Sequence, residues 1–142
     1  MKGLLTELEL AEKIARKYHK GQKRLDGSEF IKHPEAVVKM VTDENYGYSI
    51  QIVAWLHDIL EDTNMTEDKL LELGINPFVI QSIVAISKRE DERYLDYILR
   101  CSNDDDAKAV KKADLRHNIS TLKKGSLKDK YQLALYLLEN IL

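Results

Sequence analysis

The stretch Ile50-Gln-Ile-Val-Ala-Trp-Leu-His-Asp-Ile-Leu-Glu-Asp-Thr63 decides the fold, because its apolar residues surround nearly the whole circumference of a helix. A helix that is apolar on almost every side is expected to lie at the centre of a bundle. Apolar residues recur at helical spacing through most of the remaining chain, and only short polar or glycine-containing breaks interrupt them. A chain of 142 residues suits one domain with one core. The sequence therefore predicts an all-α fold, with residues 1–142 forming a single-domain helical bundle.

Helix start and stop residues divide the chain into segments. Gly21 and Gly74 are natural helix ends, while Pro34 and Pro77 suit first turns. The segment from Gln22 to Lys32 lacks a sustained period and is predicted to be a loop. The first predicted helices are about Leu4 to Lys20, Pro34 to near Gly47, about Ser49 to Asp62 and about Thr66 to Leu73. Asn76-Pro77 opens the next helix, with Asn76 as its cap and apolar residues as far as Ile86. Later helices are expected around Glu90 to Arg100, Asp104 to Leu122 and Leu127 to Ile141.

The acidic run Asp104-Asp105-Asp106 has two interpretations. Three consecutive carboxylates resemble an acidic metal-binding loop, but at the start of a helix they also favour the positive end of its dipole. The second interpretation is the simpler one, because a helix is predicted to begin at this point.

Bulk composition excludes several classes of protein. The 22 Lys and Arg residues are balanced by 24 Asp and Glu, so no strong positive field attracts a nucleic-acid polymer. No apolar run approaches the roughly 20 residues that cross a bilayer, and Met1 to Glu12 does not resemble a signal peptide. Cys101 is the single cysteine, which excludes an intramolecular disulfide and fits an inert thiol better than a nucleophile. A soluble, cytoplasmic protein that does not bind membranes is expected.

Four ionisable residues interrupt the central apolar stretch: His57, Asp58, Glu61 and Asp62. At about 100° per residue, these positions form one polar wedge about 140° wide on an otherwise apolar helix. Burying neighbouring carboxylates without a positive partner is costly, since desolvation and mutual repulsion both oppose ionisation. A divalent cation touching His57 and Asp58 would compensate. The alternative is a partly exposed helix whose acids pair with Lys or Arg.

The segment Val110 to Leu122 places Asp114, Asn118 and Thr121 on one helix face. The carboxylate, amide and hydroxyl on this face could ligate a metal and bind a substrate. Taken alone, however, the pattern is more typical of a solvent-exposed helix face. Mixed histidine and carboxylate ligands suit Mn, Fe or Zn better than an all-oxygen calcium or magnesium site. His33, at a helix start, is by itself more typical of a cap than of a ligand.

Taken together, these residues resemble the HD superfamily, and within it the hydrolase domain of Rel/SpoT proteins and the free-standing small alarmone hydrolases. The similarity runs from Ala11 through Thr121. It rests on four ordered motifs: His19-Lys-Gly-Gln-Lys-Arg24 with Asp26-Gly27, Phe30-Ile-Lys-His33-Pro34, Leu56-His-Asp-Ile-Leu-Glu-Asp-Thr63 and Val110-Lys-Lys-Ala-Asp114-Leu-Arg-His-Asn118.

The resemblance implies roles for ten residues. The implied metal ligands are His33, His57, Asp58 and Asp114, with Mn²⁺ as the ion, although another divalent transition metal would suit the same ligands. The implied catalytic residues, which orient or deprotonate a metal-bound water, are Glu61 and Asp62. The implied substrate-binding residues are Asn118 and Thr121, which contact the nucleotide, and Lys23 and Arg24, which lie in a loop that covers it.

The implied activity is hydrolysis of the 3′-pyrophosphate of guanosine tetra- or pentaphosphate to GDP or GTP and pyrophosphate, with a small-molecule nucleotide as substrate. Two alternatives remain open: a nucleotidase or phosphodiesterase of the same superfamily, and a non-catalytic nucleotide-sensing module. Alarmone synthesis is not expected from a chain of this length, and a homo-oligomer is compatible with the sequence. Leu115-Arg116 stands where relatives often have Arg-Leu, which puts Arg116 a full helical step from the usual position, so the role of that arginine in relatives is not carried over to it. Tyr94 and Tyr97 either wall the pocket or pack in the core.

Overall fold

A computed structural model describes residues 6–142, and within them the chain forms nine α-helices. Their bounds are α1 Glu7–Tyr18, α2 Lys32–Asp43, α3 Tyr48–Leu56, α4 Ile59–Asp62, α5 Glu67–Leu73, α6 Pro77–Ile86, α7 Tyr94–Ser102, α8 Asp105–Thr121 and α9 Ser126–Asn140. The described residues contain no β-strand, only one isolated bridge between Lys23 and Glu29. The all-α prediction is confirmed. The predicted first-helix residues Leu4 and Leu5 lie outside the described part.

Helix α3 lies at the centre of the bundle, as its composition predicts. Its residues from Ile52 to Leu56 are all buried, and α1, α2, α6 and α8 pack around it. Helix α8 is the second central element and contacts α2, α3, α6, α7 and α9. The two central helices carry the polar residues that the sequence singles out, so those residues meet inside the bundle.

The single helix predicted from Ser49 to Asp62 is wrong in one respect, because the chain breaks at His57 and Asp58. The Nδ1 atom of His57 hydrogen-bonds the carbonyl oxygen of Ala54 at 2.7 Å. That carbonyl is the one that the Asp58 N–H would use in an uninterrupted helix. The side chain of His57 therefore competes with the helix backbone, and the turn starts a new short helix, α4.

Side-chain caps mark the starts of three helices that the sequence predicts. The side chains of Thr66, Asn76 and Asp104 each accept a hydrogen bond from a first-turn N–H of the helix that follows. Asp104 is thus a cap rather than part of a metal loop. Helix α7 starts at Tyr94 instead of the predicted Glu90, because Asp91 has a φ of 62°, which no α-helical residue adopts.

Two further properties bear on function. Cys101 is buried, and burial raises the pKa of its thiol to about 12, so the thiol stays protonated and unreactive. Within residues 6–142, no helix is both long and apolar enough to span a membrane.

Candidate metal centre and its pocket

Three separate parts of the fold bring the four predicted metal ligands together. His33 lies in the first turn of α2, His57 and Asp58 form the turn between α3 and α4, and Asp114 lies in the middle of α8. One potential ligand atom from each residue lies within 4.8 Å of those of the other three. His33, His57 and Asp114 are buried, and the side chain of Asp58 is only 18% exposed.

Hydrogen bonds orient the two imidazoles toward a common point. Because Nδ1 of His57 donates to the carbonyl of Ala54, a neutral ring keeps a lone pair on Nε2. This Nε2 lies 3.0 Å from Oδ2 of Asp58 and 3.3 Å from Oδ1 of Asp114. The Nε2 atom of His33 lies 2.7 Å from the same Asp114 oxygen and 3.3 Å from Nε2 of His57. Four donor atoms therefore face one another.

His117, which the sequence reasoning missed, orients His33 from behind. The two Nδ1 atoms are 2.7 Å apart, and the rings stack with centroids 5.0 Å apart. Burial and the neighbouring His33 lower the pKa of His117 to about 4, so His117 is neutral and can accept a hydrogen bond from His33. The sequence signal that could have identified His117 is its position three residues after Asp114 on the same predicted helix.

The charges around the cluster favour a positive ion between the two aspartates. Burial raises the pKa of Asp114, but Lys111, His33 and His57 outweigh it and hold that pKa well below its usual range. Burial lowers the pKa of His57, and Asp58 with Asp114 raise it well above its usual value. Two imidazole nitrogens and two carboxylates are suitable donors for a divalent transition metal. The buried cluster could therefore hold such an ion.

Glu61 and Asp62 lie on α4, one helical turn beyond this cluster, and both are solvent-accessible from the pocket. Because both side chains lie in the wall of the pocket, neighbouring protein displaces part of the water around them. Burial and the charge of Asp58 raise the pKa of Asp62 to about 7. Burial also raises the pKa of Glu61. A 2.5 Å hydrogen bond from the backbone N–H of Lys88 to Oε1 of Glu61 partly offsets this rise. The two acids thus form the wall of the pocket next to the cluster. The helix break at His57 and Asp58 separates them from those two residues, so the four do not form one polar wedge on a continuous helix.

The cluster opens into a pocket of about 450 Å³, and all ten predicted site residues line it. Arg24 reaches across from the loop after α1, and its Nη2 donates to Oδ1 of Asn118 and Oγ1 of Thr121, each at 3.0 Å. Lys23 lies beside it on the same loop. The predicted covering loop therefore sits over the same side of the pocket as the predicted nucleotide-contacting residues.

Further pocket residues were not predicted. The cations Lys88, Lys111 and Lys130 line it, and the ammonium of Lys130 lies 4.1 Å from the ring centroid of Tyr94. Tyr131 also lines it. Lys111 could have been found from its position one turn before Asp114. The others come from loops and from α9, and their place depends on helix packing that no local pattern reports.

Both tyrosines left open by the sequence line the pocket, but in different ways. Tyr97 is 3% exposed and its hydroxyl donates to the carbonyl of Ile86, so it belongs mainly to the core. The buried hydroxyl of Tyr94 has no hydrogen-bond partner within residues 6–142. Arg116, whose position departs from the family pattern, pairs instead with Glu44 and Glu139 and does not line the pocket.

The chain is similar to known proteins of the Rel/SpoT group. No family model matches the chain. The chain is 32% identical over 126 residues to the guanosine-3′,5′-bis(diphosphate) 3′-pyrophosphohydrolase of Haemophilus influenzae, which covers 81% of this chain and 18% of that protein. It is 30% identical over 135 residues to the bifunctional (p)ppGpp synthase/hydrolase SpoT of Escherichia coli K12, covering 87% of this chain and 19% of that protein. The chain thus spans about a fifth of the length of these curated relatives.

A solved structure has the same fold as this chain. It is described as a metazoan ortholog of SpoT that hydrolyses ppGpp, and it superposes with a TM-score of 0.78 at 18% sequence identity. The match covers 97% of this chain and 86% of the other. The resemblance to Rel/SpoT proteins, which the motifs predict, and the all-α fold of HD type, which apolar periodicity and the motifs together predict, are therefore confirmed.

Proposed function

We propose that this chain is a metal-dependent phosphohydrolase that removes pyrophosphate from the 3′ position of guanosine tetra- or pentaphosphate, leaving GDP or GTP. The observation that carries the proposal is the convergence of two histidines and two aspartates beside two further acids at the base of a cation-lined pocket. The names of the relatives supply the substrate. Residues 1–142 would act as one domain in the cytoplasm.

The proposed ligands are His33, His57, Asp58 and Asp114, and the proposed ion is Mn²⁺. When bound, such an ion supplies a Lewis acid that acidifies water and offsets charge on a phosphoryl oxygen. The four donor atoms match this use because they combine nitrogen and oxygen ligands, and because protein surrounds them on one side while the pocket leaves the other side open.

Glu61 and Asp62 are the proposed proton acceptors. An attacking water forms a bond to the phosphorus joined to the 3′ oxygen, its proton passes to one of these carboxylates, and the bond from that phosphorus to the 3′ oxygen breaks. The 3′ oxygen then takes up a proton, and pyrophosphate leaves. A carboxylate within reach of the water typically contributes about 10²- to 10⁴-fold to the rate of such a step.

The remaining pocket residues are proposed to hold the nucleotide. Lys23 and Arg24 offer positive charge to phosphates, and a guanidinium can bind a phosphate bidentately or stack on a base. Asn118 and Thr121 offer hydrogen bonds, which Arg24 takes in this structure. Substrate entry would therefore require Arg24 to exchange its contacts with these two residues for contacts with the ligand.

Incubation of the purified, Mn²⁺-loaded protein with guanosine tetraphosphate tests the proposal. The expected products are GDP and pyrophosphate in equal amounts. No product from a sample that elemental analysis shows to contain metal would reject this substrate.

A panel of other nucleotides, assayed for phosphate and pyrophosphate release, distinguishes the alternatives. Cleavage of a nucleoside monophosphate or a cyclic nucleotide alone would favour a nucleotidase or phosphodiesterase. Tight nucleotide binding without any turnover would favour a sensing module.

A further inference from the structure

The junction between α6 and α7 contacts Glu61 through its backbone. The N–H of Lys88 donates to Oε1 of Glu61 at 2.5 Å, a charge-assisted hydrogen bond to one of the two carboxylate oxygens. Within residues 6–142, Oε2 of Glu61 takes part in no hydrogen bond. The contact therefore leaves one defined oxygen available to accept a proton.

Two side chains of α7 hold this junction in place. Arg100 donates to the carbonyls of Val84 and Ala85, each at 3.2 Å, and to that of Ser87 at 2.7 Å. Val84 and Ala85 lie in the last turn of α6, and Ser87 is the residue that follows it. The Val84 carbonyl also accepts from the N–H of Ser87 at 3.1 Å, so Arg100 reinforces the end of the helix. The hydroxyl of Tyr97 donates to a fourth carbonyl in the same turn, that of Ile86. The position of the Lys88 N–H is thereby fixed from α7.

We propose that the backbone N–H of Lys88 is a positioning group for Glu61, which holds Oε1 so that Oε2 meets the attacking water. A glutamate side chain that faces an open pocket otherwise samples several rotamers. Fixing it before the substrate arrives removes that search from the reaction step. The inference rests on the proposed function only for the role of Glu61 as proton acceptor.

The backbone contact can be separated from the side chain of Lys88 by substitution. Lys88→Pro removes the N–H, whereas Lys88→Ala keeps it and removes only the pocket-lining ammonium. A residue that precedes proline must be extended, and Ser87 meets this condition with φ −94° and ψ 120°. Lys88 itself lies outside the helices.

The first test compares the steady-state kinetics of the two variants with guanosine tetraphosphate. We expect kcat of Lys88→Pro to fall about 10- to 100-fold below that of Lys88→Ala, with equal KM, equal metal content and the same circular dichroism spectrum. Equal kcat values in the two variants would overturn the inference. Absence of turnover in the wild type would instead reject the proposed function, and the second test then decides.

The second test observes the Lys88 amide directly by NMR and requires neither turnover nor a proline. In the wild type its proton should resonate downfield and exchange slowly, as expected of a hydrogen bond to a carboxylate. Glu61→Ala should move the resonance upfield and speed its exchange, whereas the matched control Asp62→Ala should not. An amide that is unaffected by Glu61→Ala would show that the contact is not formed in solution, and the inference would fail.

Discussion

Lys111 lies one helical turn before Asp114 on α8, and its ammonium donates to Oδ2 of Asp114 at 2.8 Å. Lys111 is 8% exposed, so this is a buried ion pair. The other oxygen, Oδ1, faces His33 and accepts a further hydrogen bond from Asn118 at 3.1 Å. Lys111 thereby occupies one oxygen of Asp114 and leaves the other to the cluster.

We predict that Lys111→Met destabilises the metal-free protein by roughly 3 kcal/mol, because it leaves a buried carboxylate without its cation. Urea unfolding in the presence of a chelator measures the difference. Mn²⁺ should raise the melting temperature of the variant more than that of the wild type, since the ion replaces the missing charge. Lys112→Met is the matched control, as Lys112 forms no ion pair in the described chain. Equal stability of the two variants would contradict the prediction.

Replacing His117 should weaken metal binding although His117 is not a proposed ligand. His117→Leu removes the partner of His33 Nδ1, and loss of such an outer contact typically costs about 10- to 100-fold in metal affinity. His117→Asn supplies another acceptor and should recover part of that loss. Competition with a fluorescent chelator gives the affinities. The idea fails if the leucine variant binds Mn²⁺ as tightly as the wild type.

The sequence predicts much of this site because its chemistry lies in short motifs on helices. His57, Asp58, Glu61 and Asp62 are close in the chain, so any local fold keeps them together. Joining them to His33 and Asp114 needed the family resemblance, because nothing local indicates that α2 and α8 meet at the α3–α4 turn. The helix break at His57 was missed because it depends on a side chain competing for a backbone carbonyl.

Contacts made by the ends of other elements could not be predicted. The hydrogen bond from Lys88 to Glu61 depends on the exact end of α6, and the approach of Lys130 to Tyr94 depends on how α9 packs. Helix boundaries read from sequence are uncertain by a few residues, as the shift of the α7 start from Glu90 to Tyr94 illustrates. A local sequence pattern does not predict such contacts, because they depend on how separate elements pack together.

His57→Ala and Asp58→Ala should each lose at least tenfold in affinity for Mn²⁺, because each removes a proposed ligand from the cluster. Elemental analysis after dialysis measures the retained metal. Asp105→Asn, in the acidic run that starts α8, is the control and should keep a full equivalent. Metal loss in Asp105→Asn alone would move the site to that run.

Glu61→Gln and Asp62→Asn should retain metal but turn over guanosine tetraphosphate about 10²- to 10⁴-fold more slowly for whichever residue accepts the proton. Each substitution keeps the shape of the side chain and removes its basicity. Single-turnover kinetics with metal-loaded variants separates this chemical step from product release. Wild-type rates in both variants would exclude the proposed roles of these acids.

Lowering the pH should reduce the free energy of unfolding, because Glu92 becomes protonated. The Glu92 carboxylate accepts two hydrogen bonds of 2.9 Å from Arg100. These bonds lower the pKa of Glu92 to about 2, from an ordinary value near 4.5. A carboxylate whose folded pKa is depressed adds stability above its unfolded pKa, and this stability is lost as the pH falls toward the folded pKa. We therefore predict that Glu92→Gln is about 1–3 kcal/mol less stable than the wild type at pH 7. The difference in stability between the two proteins should shrink between pH 4.5 and 2.

Urea unfolding across this pH range measures the difference. The control Glu90→Gln, at an exposed residue, should stay within about 0.5 kcal/mol of the wild type. A Glu92→Gln deficit that does not change with pH would mean that lost packing, and not the Arg100 ion pair, stabilises the α6–α7 junction.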